Sequence, residues 1–298
     1  MRVLIVGGSG FIGNHLAEFL TSNGYEVHVL NRSKKDSNVF MEYVLNTLDH
    51  PINEILKQHQ FDLCINCAGS ANVSYSFEHP FFDYELNTRI VFNILSAIHK
   101  ISPRTRFINL SSAAVYGNPN KLPIAEETKL EPVSPYGNHK LMSEMICQQF
   151  KRYFDIESCS LRIFSAYGPG LKKQLLFDIC NKLKSNSHIE LFGTGEETRD
   201  FIYIDDLVRA IKLVGDQDKF KHDSYNIGSG KQVSIKEIAN VFIENHPSCD
   251  SIHFNMETRI GDPLKWEADI SRLKKLGFNS EIDINKGVKA YIDWYNSI

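Results

Sequence analysis

Two hydrophobic rhythms alternate along most of this chain. Short runs in which nearly every position is apolar or β-branched are separated by longer stretches in which apolar residues recur every three or four positions. The first rhythm describes strands buried on both faces, and the second describes helices laid against them. Residues 2–6, 25–30, 61–67, 106–110 and 158–164 read as strands, with 41–48 a weaker one. Residues 11–23, 51–60, 82–100 and 134–153 read as the helices between them. This alternation predicts an α/β fold with a Rossmann-type doubly wound parallel sheet.

The rhythm changes near residue 166. Tyr167-Gly-Pro-Gly170 breaks the chain, a helix is expected over 171–184, and short strands over 189–192, 201–204 and 224–227. Asp205 or Asp206 is expected to cap a helix over 207–214. Ser234 and Glu237 form a capping box that opens a helix running to Asn245, and 284–296 is an amphipathic helix. The expected division is an NAD(P)-binding Rossmann domain over 1–165 and a smaller C-terminal α/β substrate domain over 166–298, partly interleaved with the first.

Composition narrows the function. The 298 residues are 42% hydrophobic, enough for a sizeable core, and the net charge of −3 provides no basic field for nucleic acid or an anionic membrane. No run approaches the ~18 apolar residues that cross a bilayer. The chain starts on a strand rather than a signal peptide, and six cysteines in this length point to reduced thiols and a cytoplasmic protein. Cys64 and Cys67 sit in an apolar strand with no second pair or His cluster nearby, so no metal site is expected.

Two stretches carry chemistry. Strand 2–6 runs straight into Gly7-Gly-Ser-Gly-Phe-Ile-Gly13. A strand–turn–helix with glycines at this spacing binds a dinucleotide: Gly7 allows the sharp turn, Gly10 lets a pyrophosphate approach the backbone, and Gly13 lets the helix pack close. Phe11 and Ile12 begin that helix. Ala68-Gly69 and Ser111-Ser112 follow other strands and should share the same crevice. Further along, Tyr136 and Lys140 lie four residues apart on one helical face. An adjacent ammonium favours the phenolate and lowers the tyrosine pKa, so Tyr136 can exchange a proton with a substrate hydroxyl or carbonyl. Ser112 could hold that oxygen, and Lys140 could also reach the nicotinamide ribose.

At this point the chain resembles the extended short-chain dehydrogenase/reductases, specifically their nucleotide-sugar epimerase, dehydratase and reductase group. The resemblance spans essentially the whole length. It rests on the segments 6–13, 110–117 and 134–140 quoted in part above, and on Leu161-Arg-Ile-Phe-Ser-Ala-Tyr-Gly-Pro169, Thr198-Arg-Asp-Phe-Ile-Tyr-Ile-Asp-Asp206 and Arg259-Ile-Gly-Asp262. It implies hydride transfer at a sugar carbon, usually C4. Ser112 would bind the reacting oxygen, with Tyr136 the acid/base and Lys140 its partner. Arg199 and Arg259 would hold a nucleoside diphosphate, a task suited to the guanidinium fork; the alternative is ion pairing with Asp200 and Asp262. Phe192 would contact the nucleobase, or serve as core. The resemblance also implies a homodimer built on helices 82–100 and 134–153.

The chain departs from that family at three places. Ala113-Ala114 stand where the 4,6-dehydratases carry an Asp-Glu pair, which argues against dehydration. Ser165 stands where many relatives have Asn, in the segment that meets the sugar nucleotide. Asn31 replaces the acid that ends the second strand in NAD sites, and Arg32-Ser33-Lys34-Lys35 follow it. Asn31, Arg32 and Ser33 would accept a 2′-phosphate, so NADP(H) is the expected cofactor and NAD the alternative. The expected activity is a 4-keto-sugar reductase acting on a nucleoside-diphosphate sugar. The alternative is an NAD-dependent 4-epimerase, and a remote one is a non-catalytic dinucleotide-binding module.

Overall fold

The computed structural model describes residues 1–31, 41–44, 51–257 and 264–298. In chain order the strands are β1 (Arg2–Val6), β2 (Glu26–Asn31), β3 (Met41–Val44), β4 (Leu63–Asn66), β5 (Arg106–Ser112), β6 (Ser158–Ile163), β7 (Ser165–Tyr167), β8 (His188–Leu191), β9 (Thr198–Arg199), β10 (Phe201–Tyr203), β11 (Ser224–Ile227), β12 (Val233–Ser234) and β13 (Ser251–Phe254). The helices are α1 (Phe11–Ser22), α2 (Pro51–Gln58), α3 (Val73–Glu78), α4 (Pro80–Tyr84), α5 (Ile90–Ile101), α6 (Pro135–Phe154), α7 (Gln174–Leu183), α8 (Ile204–Gly215), α9 (Ile235–Asn245), α10 (Ser271–Lys274) and α11 (Ile284–Asn296).

Seven strands form one parallel sheet in the order β11-β6-β5-β4-β1-β2-β3. The pleat sorts β1 into two cores. Val3 and Ile5 pack with Leu16, Ala17 and Leu20 of α1 and Leu207 and Ile211 of α8. Leu4 and Val6 pack on the opposite face with Ile55 of α2, Ile94 and Ile98 of α5 and Phe150 of α6. This two-sided burial is why the strands read as unbroken apolar runs. The winding direction reverses between β1 and β4, so their carboxyl ends open a crevice at a topological switch point. In the second half, β10 pairs with β7, β12 with β9, and β13 with β8.

Three expectations change. Strand 224–227 does not stay with the second half: β11 pairs with β6 and completes the first sheet, so the two halves interleave. The helix expected over 82–100 is broken, with a π-helical turn at Glu85–Arg89 between α4 and α5. Neither Asp205 nor Asp206 caps α8, which follows β10 directly, with Tyr203 at its N-cap. Asp206 is buried instead and accepts from Ser280 Oγ and from the backbone N–H groups of Glu281 and Ile282. The Ser234–Glu237 capping box is present as expected. The strand expected over 41–48 is β3, with 45–48 outside the described residues.

Candidate active site

The glycine loop is shaped by close approach. Gly7 turns at φ +84, and its N–H donates to Leu30 O at 2.8 Å. A Cβ on Gly13 would lie 2.3 Å from Gly7 O, so α1 starts hard against the loop. Gly10 is the α1 N-cap and places no side chain over the helix terminus. Gly10, Phe11 and Ile12 line a cleft of about 720 Å³. Gly7 and Gly13 shape the loop from behind and are not among the lining residues. The cleft wall therefore carries the N-terminus of α1, the positive end of a helix dipole, a chemistry that fits a pyrophosphate.

Asn31 does not behave as the sequence suggested. It is buried, its Oδ1 accepts from Ser9 N at 2.7 Å, and its Nδ2 donates to Glu42 Oε1 at 2.7 Å. The amide is spent on the loop and on β3 rather than offered to a phosphate. Arg32, Ser33, Lys34 and Lys35 lie outside the described residues, as does Arg259.

Ser112, Tyr136 and Lys140 all line the same cleft. Ser112 ends β5 and caps the short 3₁₀ turn Ala113–Tyr116, its Oγ accepting from Ala114 N at 3.1 Å. Ser134 caps α6 by accepting from Gly137 N, and Pro135 opens the helix. Gly137 packs so tightly that a Cβ there would sit 2.6 Å from Ala114 O. That contact brings the first turn of α6, with Tyr136, over Ser112. Lys140 lies one turn deeper, its Nζ donating to Leu110 O at 2.9 Å.

The electrostatics differ from expectation. Burial pushes the Tyr136 phenol up to about 12, opposed by the Ser112 hydroxyl beside it and raised further by Asp83. Lys140, whose ammonium donates to the Leu110 carbonyl, does not bring about the anticipated lowering; burial dominates. Lys140 is itself brought down to about 8 by burial, against the pull of Asp83.

Sequence reading missed the residues that hold this set from behind. Buried Asp83 lies 2.6 Å from His139 Nδ1 and accepts from Asn87 Nδ2 at 3.0 Å. Asn87 sits in the π-helical turn, and its Oδ1 accepts from Ser70 N. A Cβ on Gly69 would strike Asn87 Oδ1 at 2.7 Å and come within 3.2 Å of Lys140 Nζ, so only glycine lets these groups meet. π-Helical turns concentrate at functional sites. On the other side, Glu144 accepts from Ser111 Oγ at 2.6 Å and pairs with buried Arg162 at 2.8 Å. The i,i+4 spacing of Asp83 and Asn87 was the one available signal for this layer.

The far end of the cleft is lined by Ser165, Lys173, Phe192, Arg199 and Trp266, with Ala68 and Gly69 nearer the loop. The Arg199 guanidinium lies over the Trp266 ring at 5.9 Å. Asp200 does not serve Arg199: it is buried and accepts from Ser229, Gly230 and Ala268 N–H groups. Phe192 is substantially exposed rather than core. Cys64 is buried, whereas Cys67 is half-buried and faces the cleft, with its thiol pushed up to about 12 by burial. Among the described residues no cluster could hold a metal ion, and no helix is long and apolar enough to cross a membrane.

Comparison with known proteins matches this picture. Residues 3–228 match the model of the NAD dependent epimerase/dehydratase family. A putative UDP-glucose 4-epimerase of Methanocaldococcus jannaschii is 30% identical, the match covering 98% of this chain and 97% of that one. The UDP-glucuronate 4-epimerase of Thermodesulfobacterium geofontis is 26% identical, covering 98% and 95%. Among solved structures, MoeE5 in complex with UDP-glucose and NAD is 26% identical at a TM-score of 0.88, covering 100% of this chain and 99% of that one. The UDP-glucose 4-epimerase of Thermotoga maritima with UDP-glucose is 26% identical at a TM-score of 0.91, with the same coverage. With its parallel sheet, its glycine loop at the switch point and a family match over three quarters of its length, the chain belongs to the NAD dependent epimerase/dehydratase family of extended short-chain dehydrogenase/reductases.

Proposed function

We propose that this protein is an NAD-dependent 4-epimerase of a nucleoside-diphosphate sugar. The observation that carries the proposal is the convergence of Ser112, Tyr136 and Lys140 on one cleft with the glycine loop at its other wall. A bound nicotinamide would supply an acceptor and then a donor of hydride at the sugar carbon. Residues 1–165 would hold the dinucleotide, with Gly10, Phe11 and Ile12 at the pyrophosphate and Ala68 and Gly69 beside it. Residues 166–298 would contribute most of the sugar-nucleotide contacts, with Arg199 at the diphosphate, Phe192 at the base and Ser165 near the sugar. In its phenolate form Tyr136 Oη would take the proton of the C4 hydroxyl as hydride leaves the carbon, and would return it when hydride comes back, while Ser112 Oγ would hold the reacting oxygen. Lys140, tied to Leu110, would reach the nicotinamide ribose.

Epimerase is favoured over the 4-keto reductase by the relatives, whose names include 4-epimerases of UDP-glucose and UDP-glucuronate. NAD is favoured over NADP(H) by MoeE5, solved with NAD, and by the committed Asn31 amide. Six free thiols support a cytoplasmic location. Exposed Phe92 of α5 and Met142 and Met145 of α6 support a homodimer that pairs these helices.

The deciding experiment incubates the purified protein with UDP-glucose, UDP-glucuronate and UDP-N-acetylglucosamine without added reductant. Conversion of at least one into its C4 epimer is expected, with Tyr136→Phe slower by about 10²–10⁴-fold. Stoichiometric NADPH consumption with a 4-keto sugar nucleotide, and no epimerisation, would establish the reductase instead. Full biological function of Tyr136→Phe would point to a non-catalytic module.

A further inference from the structure

A dinucleotide site of this type places an acid at the end of the second strand, where it meets the 2′-hydroxyl of the adenosine ribose. Here that position is Asn31, which is neutral. A neutral amide at this point would leave the site without its usual barrier to a 2′-phosphate.

The third strand supplies a charge at the same place. Glu42 of β3 stands opposite Val29 of β2 in the parallel register, so the two side chains share a face of the sheet. Val29 lies directly under the glycine loop: a Cβ on Gly8 would come within 2.2 Å of its Cγ1. Asn31, two residues beyond Val29, points to that face as well. The Glu42 carboxylate reaches along the strand to Asn31 Nδ2 at 2.7 Å, and Asn31 Oδ1 takes the Ser9 N–H at 2.7 Å. The partners leave no freedom in the amide. A carboxylate only accepts and a backbone N–H only donates, so the nitrogen faces Glu42 and the oxygen faces the loop. Ser9 of the loop, the Asn31 amide and the Glu42 carboxylate form one continuous hydrogen-bonded row at the end of the second strand.

We infer that Glu42, acting with Asn31, is the residue pair that selects an unphosphorylated adenosine ribose and rejects a 2′-phosphate. Glu42 fixes the orientation of the Asn31 amide, which in turn holds Ser9 of the glycine loop in place beside the ribose position. The Glu42 carboxylate also restores the negative charge that the second strand lacks. A 2′-phosphate, close to doubly charged at neutral pH, would meet that carboxylate at the rim. The inference rests on the cleft being the dinucleotide site, and it places a specificity residue on the third strand beside the one that ends the second.

The test measures dissociation constants of NAD⁺ and NADP⁺ for the nucleotide-free protein by calorimetry, independently of turnover. The wild type is expected to bind NAD⁺ at least tenfold more tightly than NADP⁺. Glu42→Gln keeps an oxygen for Asn31 and removes the charge; it should tighten NADP⁺ binding at least tenfold and leave NAD⁺ within about threefold. Glu42→Ala also frees the amide to turn, and should in addition weaken NAD⁺. A wild type that prefers NADP⁺, or a Glu42→Gln variant with an unchanged NAD⁺/NADP⁺ ratio, overturns the inference. If neither nucleotide binds the wild type, the dinucleotide reading of the cleft fails, and the inference fails with it. Loss of epimerase activity alone bears only on the proposed reaction. A circular dichroism melt of each variant identifies a fold that has been lost. Should Glu42→Ala unfold, the isosteric Glu42→Gln still decides.

Discussion

Lys140 is tied to Leu110: its ammonium donates to the Leu110 carbonyl at 2.9 Å, anchoring α6 to the strand that carries Ser112. Burial brings that ammonium from 10.5 down to about 8. The folded protein therefore binds fewer protons than the unfolded chain between about pH 8 and 10.5. Folding is penalised below that window, and the penalty is relieved as pH rises through it. The shift is worth roughly 3 kcal/mol, of which the Leu110 hydrogen bond offsets roughly 1. Lys140→Met should raise stability by about 2 kcal/mol at pH 7, with the gain shrinking towards pH 10, while turnover falls at least ~100-fold. Thermal melts at the two pH values check this; a variant less stable at pH 7 would contradict it.

Gly137 is where α6 touches the turn after β5. A Cβ there would lie 2.6 Å from Ala114 O and 2.9 Å from Pro132 Cβ, and backbone cannot yield as a flexible side chain can. Gly137→Ala should cost about 1–3 kcal/mol in denaturant titrations. By moving Tyr136 away from Ser112 it should also lower kcat by at least tenfold, with NAD⁺ binding nearly unchanged because the 7–13 loop is untouched. Equal losses in kcat and in cofactor affinity would show that the contact does not act locally.

Glu144 and Arg162 form a buried pair at 2.8 Å, and Glu144 also takes the Ser111 hydroxyl. Removing the carboxylate strands a buried guanidinium. Glu144→Ala should lose about 3–5 kcal/mol, and Glu144→Gln less, since it keeps an acceptor for Ser111. Urea unfolding separates the two; equal midpoints would mean that the pair contributes little.

The proposed dimer predicts that charge on the exposed α5–α6 face disperses it. Phe92→Glu combined with Met145→Glu should convert a dimer to a monomer by sedimentation, without changing the far-ultraviolet spectrum of the fold. A wild-type protein that sediments as a monomer at micromolar concentration would remove the proposal.

Much of this was legible in the residues themselves, for local reasons. The strands were visible because β1 is buried on both faces, so Val3 and Leu4 must both be apolar although they enter different cores. The glycine loop was visible because its turn and close packing are solved within seven residues. Tyr136 and Lys140 were visible because a helix brings positions four apart onto one side.

What the chain alone determined was therefore the layered α/β fold, the tight glycine turn that opens α1, and the Tyr136–Lys140 spacing on one helical face, each encoded over a few neighbouring residues. Tertiary structure alone decided the partners. Asn31 invited a phosphate on paper, yet its amide is taken by Ser9 and by Glu42, which only strand pairing brings alongside. Asp83 reaches His139 across 56 positions, and β11 crosses from the second half to complete the first sheet. The Tyr136 phenol rises instead of falling because burial outweighs the Ser112 hydroxyl beside it. Residue type and spacing carry local geometry, whereas desolvation and hydrogen-bond partners arise only once distant segments are packed together.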